Sequence, residues 1–155
     1  KDAALIIGWD EVLQRAARQE QFLNQYAATG TKTAAPARTQ TQVRAQAQTE
    51  AQVETVRALL ERYVMFTLFG LNNTPLFNYE DGRMVAEARQ AYQEFSDGAD
   101  SAVGGGAGNA GDADSAAGAP RFTNLMREYL ALLAENDYQL TTAVNEYRQN
   151  AAATY

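Results

Sequence analysis

The stretch GADSAVGGGAGNAGDADSAAGA, residues 98–119, divides a chain whose remaining sequence has the periodicity of helices. It holds seven of the eleven glycines, and Val103 is its one sizeable apolar side chain. Such a segment buries too little apolar surface to offset the entropy lost on ordering it. Connections of this length are uncommon in compact domains unless they are linkers or functional loops. We therefore predict a flexible acidic loop at 98–119 within a single helical domain, residues 1–155.

Apolar spacing on the N-terminal side of this loop predicts three helices. They are expected over about 10–28, 39–68 and 80–96, with Gly98 as the stop of the third. The first half of the second helix, TQTQVRAQAQTEAQ, is polar on nearly every face. A helix of this kind is either solvated or packed tightly through alanine against another helix. Ahead of the first helix, residues 1–8 form a candidate N-terminal arm.

On the C-terminal side, Pro120 is expected to open a fourth helix with an apolar seam from Phe122 to Tyr147. Asp137 interrupts that seam, and a break at Asn136–Asp137 would give two helices instead of one. Residues 151–155 are predicted to be a tail. The abundance of alanine and the three prolines favour helix over sheet. The fold class expected is all-α, a bundle of four or five helices.

Composition removes several chemistries. The chain has no cysteine and no histidine, so the commonest general base and the usual transition-metal ligands are missing. Its net charge of -6 argues against binding nucleic acid by bulk electrostatics. The longest apolar run, about residues 63–71, is far shorter than a membrane span. We expect no catalytic residue, no cofactor and no small-molecule ligand.

Two patterns within the loop resemble ligand sites. Gly106, Gly108 and Gly111 match GxGxxG, but no strand precedes them, and neighbouring aspartates would repel phosphate. Asp112 and Asp114 alternate as calcium ligands do, yet no glutamate follows to complete a calcium loop. They are the only metal candidates, and a solvated acidic spacer is the favoured interpretation.

Paired carboxylates occur at Asp10–Glu11 and Glu80–Asp81, and a third pair is Glu135 with Asp137. The first two pairs are expected near helix N-termini, where they would interact with the helix dipole. An enzyme that used only carboxylates, Tyr and Arg would need two of these acids to converge in a pocket. We regard that as the third and least favoured function.

Residues 63–79 contain a third of the aromatic side chains, around a turn marked by Gly70, Asn72, Asn73 and Pro75. The segment is interpreted as a core corner between two helices or as a surface patch that meets another chain. Together with the apolar lead and the alanine-rich half-helix, it supplies the interface candidates: Leu5, Ile6, Ile7, Val43, Ala47, Ala51, Phe66, Phe69, Leu76 and Phe77.

The order of four helices, with a long acidic loop between the third and fourth, is similar to that of coat proteins of rod-shaped plant viruses. The resemblance covers the helix layout only, and it implies a capsid subunit whose loop lines an inner channel. The connection at 69–79 is short for that family. No RNA-binding residue is carried over, and a likeness of fold supports function weakly.

The function expected is a non-enzymatic structural subunit that packs through its helices into a larger assembly, such as a coat, capsid or filament. The partner expected is protein, as a homo-oligomer or as subunits of a larger complex. The alternative is a monomeric helical binding or accessory module that uses 98–119 as a flexible arm. Localisation stays open: a virion is one option, and the absence of Met at position 1 is compatible with a processed or secreted product.

Overall fold

The computed structural model describes residues 7–30, 40–71, 73–103 and 121–155. These residues form an all-α fold of five helices with one small hairpin: α1 (Trp9–Gly30), α2 (Gln40–Phe69), β1 (Gly70–Leu71), β2 (Thr74–Pro75), α3 (Ala86–Val103), α4 (Arg121–Glu135) and α5 (Thr142–Thr154). The two strands pair antiparallel, with Gly70 opposite Pro75. The predicted all-α class is therefore confirmed.

Consecutive helices run in opposite directions, as contacts between their ends show. Tyr92 of α3 packs edge-on against Trp9 at the start of α1, with ring centroids 6.1 Å apart. The Tyr92 hydroxyl also donates to the carbonyl of Thr67, near the end of α2, at 2.6 Å. Farther along α1, Glu20 meets the start of α4 at Phe122. The start of α1 therefore lies beside the end of α2, and α4 begins beside the later part of α1.

The core lies between the five helices and takes one apolar face from each. Large side chains that are at most 2% exposed include Tyr92, Tyr129 and Phe122. Their burial, each of order 2 kcal/mol or more for a large apolar group, stabilises the bundle. The remaining buried core members are Trp9, Leu13, Ala16, Leu60, Val64, Leu68, Leu76, Phe77, Met84, Ala88, Ala91, Met126, Leu133 and Val144.

The predicted break between α4 and α5 is confirmed. Asp137 and Tyr138 have φ of 52° and 56°, in the left-handed region, so the helix cannot continue through them. The N–H of Tyr138 donates to the carbonyl of Leu133 at 2.7 Å, which closes the end of α4. Thr141 then caps α5 by accepting from the N–H of Val144.

The predicted bounds of the third helix were wrong at both ends. Residues 77–84 form a turn, with Phe77 bridged to Met84, so Glu80 and Asp81 do not begin a helix. Asp81 instead accepts the N–H of Arg83 at 2.9 Å. At the other end α3 continues through Gly98 to Val103, because a single glycine costs a helix only about 1 kcal/mol.

The first six residues of the loop predicted at 98–119 belong to α3, so the prediction was wrong for those residues. Residues 104–120 lie outside the described part of the chain. The predicted tail at 151–155 was also wrong. Here α5 extends to Thr154, and Ala151, Ala152 and Tyr155 pack against the core. This packing is favourable because it removes apolar surface from water.

Candidate functional site

One carboxylate joins three helices near the beginning of α4. Glu20 of α1 is 5% exposed, and both its oxygens accept the main-chain N–H of Phe122, at 2.9 and 3.0 Å. Its Oε1 also accepts the hydroxyl of Tyr155 at 3.2 Å. Burial raises the pKa of Glu20, and these hydrogen bonds together with the nearby Arg121 charge act in the opposite direction.

Arg121 fastens the end of α5 to the same place. Its guanidinium donates to the carbonyl of Thr154 at 3.0 Å and lies over the ring of Tyr155, 5.0 Å from the centroid. Burial, with the Glu20 carboxylate next in importance, raises the pKa of Tyr155. Glu20, Arg121 and Tyr155, which we call the three-helix cluster, therefore hold α1, α4 and α5 together.

A groove of about 390 Å³ runs between α4 and α5 next to this cluster. Within it the Tyr147 hydroxyl donates to Glu128 Oε2 at 3.2 Å, and burial raises the pKa of Tyr147. A tyrosine held protonated offers hydrogen bonds and is a poor nucleophile at neutral pH. The lining residues are Arg121, Asn124, Leu125, Glu128, Tyr147, Asn150, Ala151, Thr154 and Tyr155.

The end of α1 and the start of α2 are covered less than the rest of the bundle, although Leu23 still packs partly buried against the core. Beyond Glu20, α1 continues for ten residues to Gly30, about 15 Å at 1.5 Å per residue. None of the side chains described at 21–27 and 48–52 is buried, and the ring of Phe22 is 42% exposed. We call residues 21–30 and 40–52 the arm. It is a pair of helices that the rest of the described chain covers incompletely.

Two turns meet at the opposite end of the molecule, and we call residues 77–84 and 136–141 the turn end. The N–H of Leu140 donates to the carbonyl of Gly82, and that of Met84 to the carbonyl of Tyr138, both at 2.8 Å. Tyr79 is 81% exposed and Leu140 is 42% exposed. Sequence reasoning missed this surface because nothing in the sequence pairs two turns so far apart.

The structure places the N-terminal and α2 interface candidates in different settings. Ile7 is partly exposed before α1, whereas Leu5 and Ile6 lie outside the described residues. Ala51 is exposed on the arm. Val43 and Ala47 also belong to the arm by their position in α2, but their side chains are not among those described. Asp112 and Asp114, the metal candidates, lie outside the described residues.

The aromatic segment forms a core corner. Leu76 and Phe77 are 1% and 6% exposed, so in this fold they present almost no surface to another chain. Phe66 and Phe69 are partly buried. Arg148 of α5 stacks over the rings of Phe69 and Phe77, 4.6 and 5.5 Å from their centroids. Because the guanidinium covers these rings, the corner contacts α5.

The candidate acids of the enzyme hypothesis are all exposed: Asp10, Glu80, Asp81 and Asp137. Asp10 and Glu11 lie in the first turn of α1, as the sequence predicted. The Glu11 carboxylate accepts hydrogen bonds from Arg15 at 2.7 Å and from Arg18 at 3.0 Å. The hydrogen bond from Arg15 is the largest cause that lowers the pKa of Glu11. Glu11 therefore has a local role, in ion pairs along the first two turns of α1.

Over the described ranges, no three acidic side chains are grouped so as to hold a metal ion. In the same ranges, no helix has the length and apolar character needed to cross a membrane. Comparison with protein-family models, curated proteins and solved structures found nothing that matches this chain.

Proposed function

We propose that this chain is a structural subunit that packs through its helices into a larger protein assembly. The arm is the observation that carries this proposal. Along residues 21–27 and 48–52 no described side chain is fully buried, although Leu23 packs partly buried against the core. Phe22 keeps 42% of its surface exposed on this arm.

The composition of the arm favours a neighbouring chain over permanent exposure to water. A partner that covered the exposed apolar surface of the arm, such as the ring of Phe22, would remove that surface from water and stabilise the arm. The stretch from Thr39 to Gln52 carries alanines at 45, 47 and 51, whose small side chains allow another helix to approach closely. The expected partner is a second copy of this chain or another subunit of the same assembly.

Size-exclusion chromatography with light scattering tests the proposal. The purified chain is expected to have a molar mass several times that of one copy, and the mass should rise with protein concentration. Phe22→Ser should lower the assembled fraction, because it removes the largest exposed apolar side chain of the arm. Gln21→Ser, at the exposed position next to it, is the matched control and should leave assembly unchanged.

Imaging of the same material by negative-stain electron microscopy would separate filament, ring and shell. A chain that stays monomeric from micromolar to millimolar concentration would overturn the proposal. That result would favour the alternative of a monomeric binding module. If Phe22→Ser and Gln21→Ser lowered the measured molar mass equally, assembly would not use the arm.

A further inference from the structure

The turn end carries an excess of negative charge on exposed side chains. Three acids and one arginine lie within residues 77–84 and 136–141, which gives a formal charge of -2: Glu80, Asp81, Asp137 and Arg83, all exposed. The residues around the two turns add two exposed acids, Glu87 and Glu135, and two arginines that stack over rings of the turn end, Arg89 and Arg148. These four cancel, so the charge of the surface stays at -2.

Two apolar side chains are exposed among these acids. Tyr79 is 81% exposed and directly precedes Glu80 and Asp81. Leu140 is 42% exposed on the adjoining turn, where its N–H donates to the carbonyl of Gly82 at 2.8 Å. Tyrosine is among the residues that contribute most to binding energy at protein interfaces. The turn end therefore combines apolar contact area with carboxylates beside it.

Hydrogen bonds hold this surface in one shape. Within the first turn, the N–H of Asn78 donates to the carbonyl of Arg83 at 2.8 Å. The N–H of Met84 donates across to the carbonyl of Tyr138 on the second turn, also at 2.8 Å. Beneath them Phe77 and Met84 are each 6% exposed. A surface that is already ordered loses little conformational entropy when a partner binds.

The turn end already holds one contact between a guanidinium and a tyrosine. Arg89 of α3 lies over the ring of Tyr138, 3.7 Å from its centroid. Guanidinium groups stack on aromatic rings and also pair with carboxylates through two parallel hydrogen bonds. Tyr79 offers such a ring, with the carboxylate of Glu80 next to it in the sequence. Arginine is therefore the side chain that fits both features of the surface.

We infer that the turn end binds an arginine-rich segment of a partner protein. The guanidinium groups pair with Glu80 and Asp137 and stack over Tyr79, and an apolar side chain of the segment contacts Leu140. Opposite charge attracts such a segment and repels an acidic one. This inference goes beyond the proposed function, because it concerns a surface other than the arm and applies to a single copy of the chain.

Fluorescence anisotropy of a short labelled peptide tests the inference. In the probe a leucine lies between two arginines, and in the matched peptide citrulline replaces both arginines, which removes the charge and keeps the shape. In about 0.01 M salt, where screening is weak, the full chain is expected to bind the arginine peptide more tightly by on the order of tenfold. The difference should be lost in 1 M salt, where the screening length is about 3 Å.

A double variant of the chain locates the binding surface. Glu80→Gln/Asp137→Asn removes two charges of the turn end, and asparagine suits the φ of 52° at position 137. Asp81 is kept because it accepts the N–H of Arg83 within the turn. This variant should bind the arginine peptide more weakly by on the order of tenfold in low salt. Tyr79→Ser should weaken binding about two- to fivefold, because it removes the ring on which a guanidinium stacks.

The control makes the same charge change elsewhere in the sequence. Asp112→Asn/Asp114→Asn removes two charges from the acidic stretch of residues 97–114, which could attract a basic peptide by charge alone. It should have a much smaller effect than Glu80→Gln/Asp137→Asn. Circular dichroism checks that every variant has kept its helices.

The outcomes distinguish this inference from the proposed function. Equal binding of the arginine and citrulline peptides, or equal losses in the two double variants, would overturn the inference. A chain that assembles at higher concentration but prefers neither peptide overturns this inference alone. A chain that stays monomeric and binds the arginine peptide through the turn end overturns the proposed function alone. A loss that is confined to the arginine peptide and to the turn-end variants supports the inference.

Discussion

Glu20 shows how one residue sets the connection between distant parts of the chain. In the sequence it is one acid in a polar stretch of the first helix, and its position there predicts a surface side chain. Its hydrogen-bond partners lie 102 and 135 residues away. Local periodicity carries no information about hydrogen-bond partners so far apart in the sequence, and this is why sequence reasoning missed the three-helix cluster. A buried carboxylate is tolerated here because it accepts from Phe122 and Tyr155.

The raised pKa of Glu20 predicts the direction of a pH effect on stability. Because its pKa is higher in the folded state, the folded chain holds this proton more tightly than the unfolded chain. The stabilising contribution is fully present below the unfolded pKa, near 4.5, and is lost as pH rises through the folded pKa. Glu20→Gln cannot titrate, so the wild type should lose stability relative to this variant between pH 4 and pH 7.

Urea unfolding of both proteins at several pH values in this range would measure the difference. Glu20→Ala serves as the structural control, since it removes the acceptor altogether. Relative to Glu20→Gln, which does not titrate either, it should cost about 1–3 kcal/mol at every pH by leaving the N–H of Phe122 unsatisfied. A wild type that gains stability relative to Glu20→Gln as the pH rises would contradict the predicted direction.

At the scale of elements, the sequence predicted where helices lie better than where they end. The break at Asn136–Asp137 was predictable because a polar pair interrupts an apolar seam. The end of α3 was not, because Gly98 looks like a stop, whereas the helix runs five residues past it. The observed start of α3 is later than the predicted one because residues 77–84 form a turn that pairs with the turn at 136–141. Local sequence patterns do not encode a contact of this range.

Two glycines provide a matched prediction about these elements. Gly98 lies inside α3, and a Cβ added there meets nothing within 4 Å. Gly98→Ala should therefore stabilise the protein by about 0.5–1 kcal/mol through helix propensity. Gly70 has φ of 72°, and a Cβ there would lie 2.6 Å from the N atom of Leu76. Gly70→Ala should destabilise by about 2 kcal/mol or more.

Thermal or urea unfolding of the two variants beside the wild type would measure both effects. The two variants should change the free energy of unfolding in opposite directions. Because both add the same methyl group, the difference between them reports the backbone position and not the group itself. If Gly98→Ala were destabilising, the helix would not pass through residue 98, and the sequence expectation of a stop there would be restored. A neutral Gly70→Ala would mean that the hairpin relaxes to admit a side chain.

At the scale of the whole molecule, charge is distributed unevenly along the chain. Asp97, Asp100, Asp112 and Asp114 account for -4 of the net -6, and no basic residue lies among them. The rest of the chain is then close to neutral, at a formal -2. A nearly neutral body permits copies to pack closely, whereas the clustered aspartates of neighbouring copies would repel one another. Most of the self-repulsion in an assembly would arise from one short segment.

This distribution leads to a prediction about salt and assembly. The triple variant Asp100→Asn/Asp112→Asn/Asp114→Asn changes the net charge from -6 to -3 and should assemble at a lower protein concentration than the wild type in about 0.01 M salt, where the screening length is about 30 Å. In 1 M salt, where that length falls to about 3 Å, the two proteins should assemble alike. Light scattering across a concentration series measures both thresholds.

The control is Glu61→Gln/Glu87→Gln/Glu146→Gln, which makes the same charge change at exposed positions of α2, α3 and α5. Its effect should be smaller, because those acids lie in a body where basic side chains are interspersed. Equal effects of the two triple variants would show that net charge alone governs assembly, and that the clustering of aspartates within residues 97–114 has no part in it.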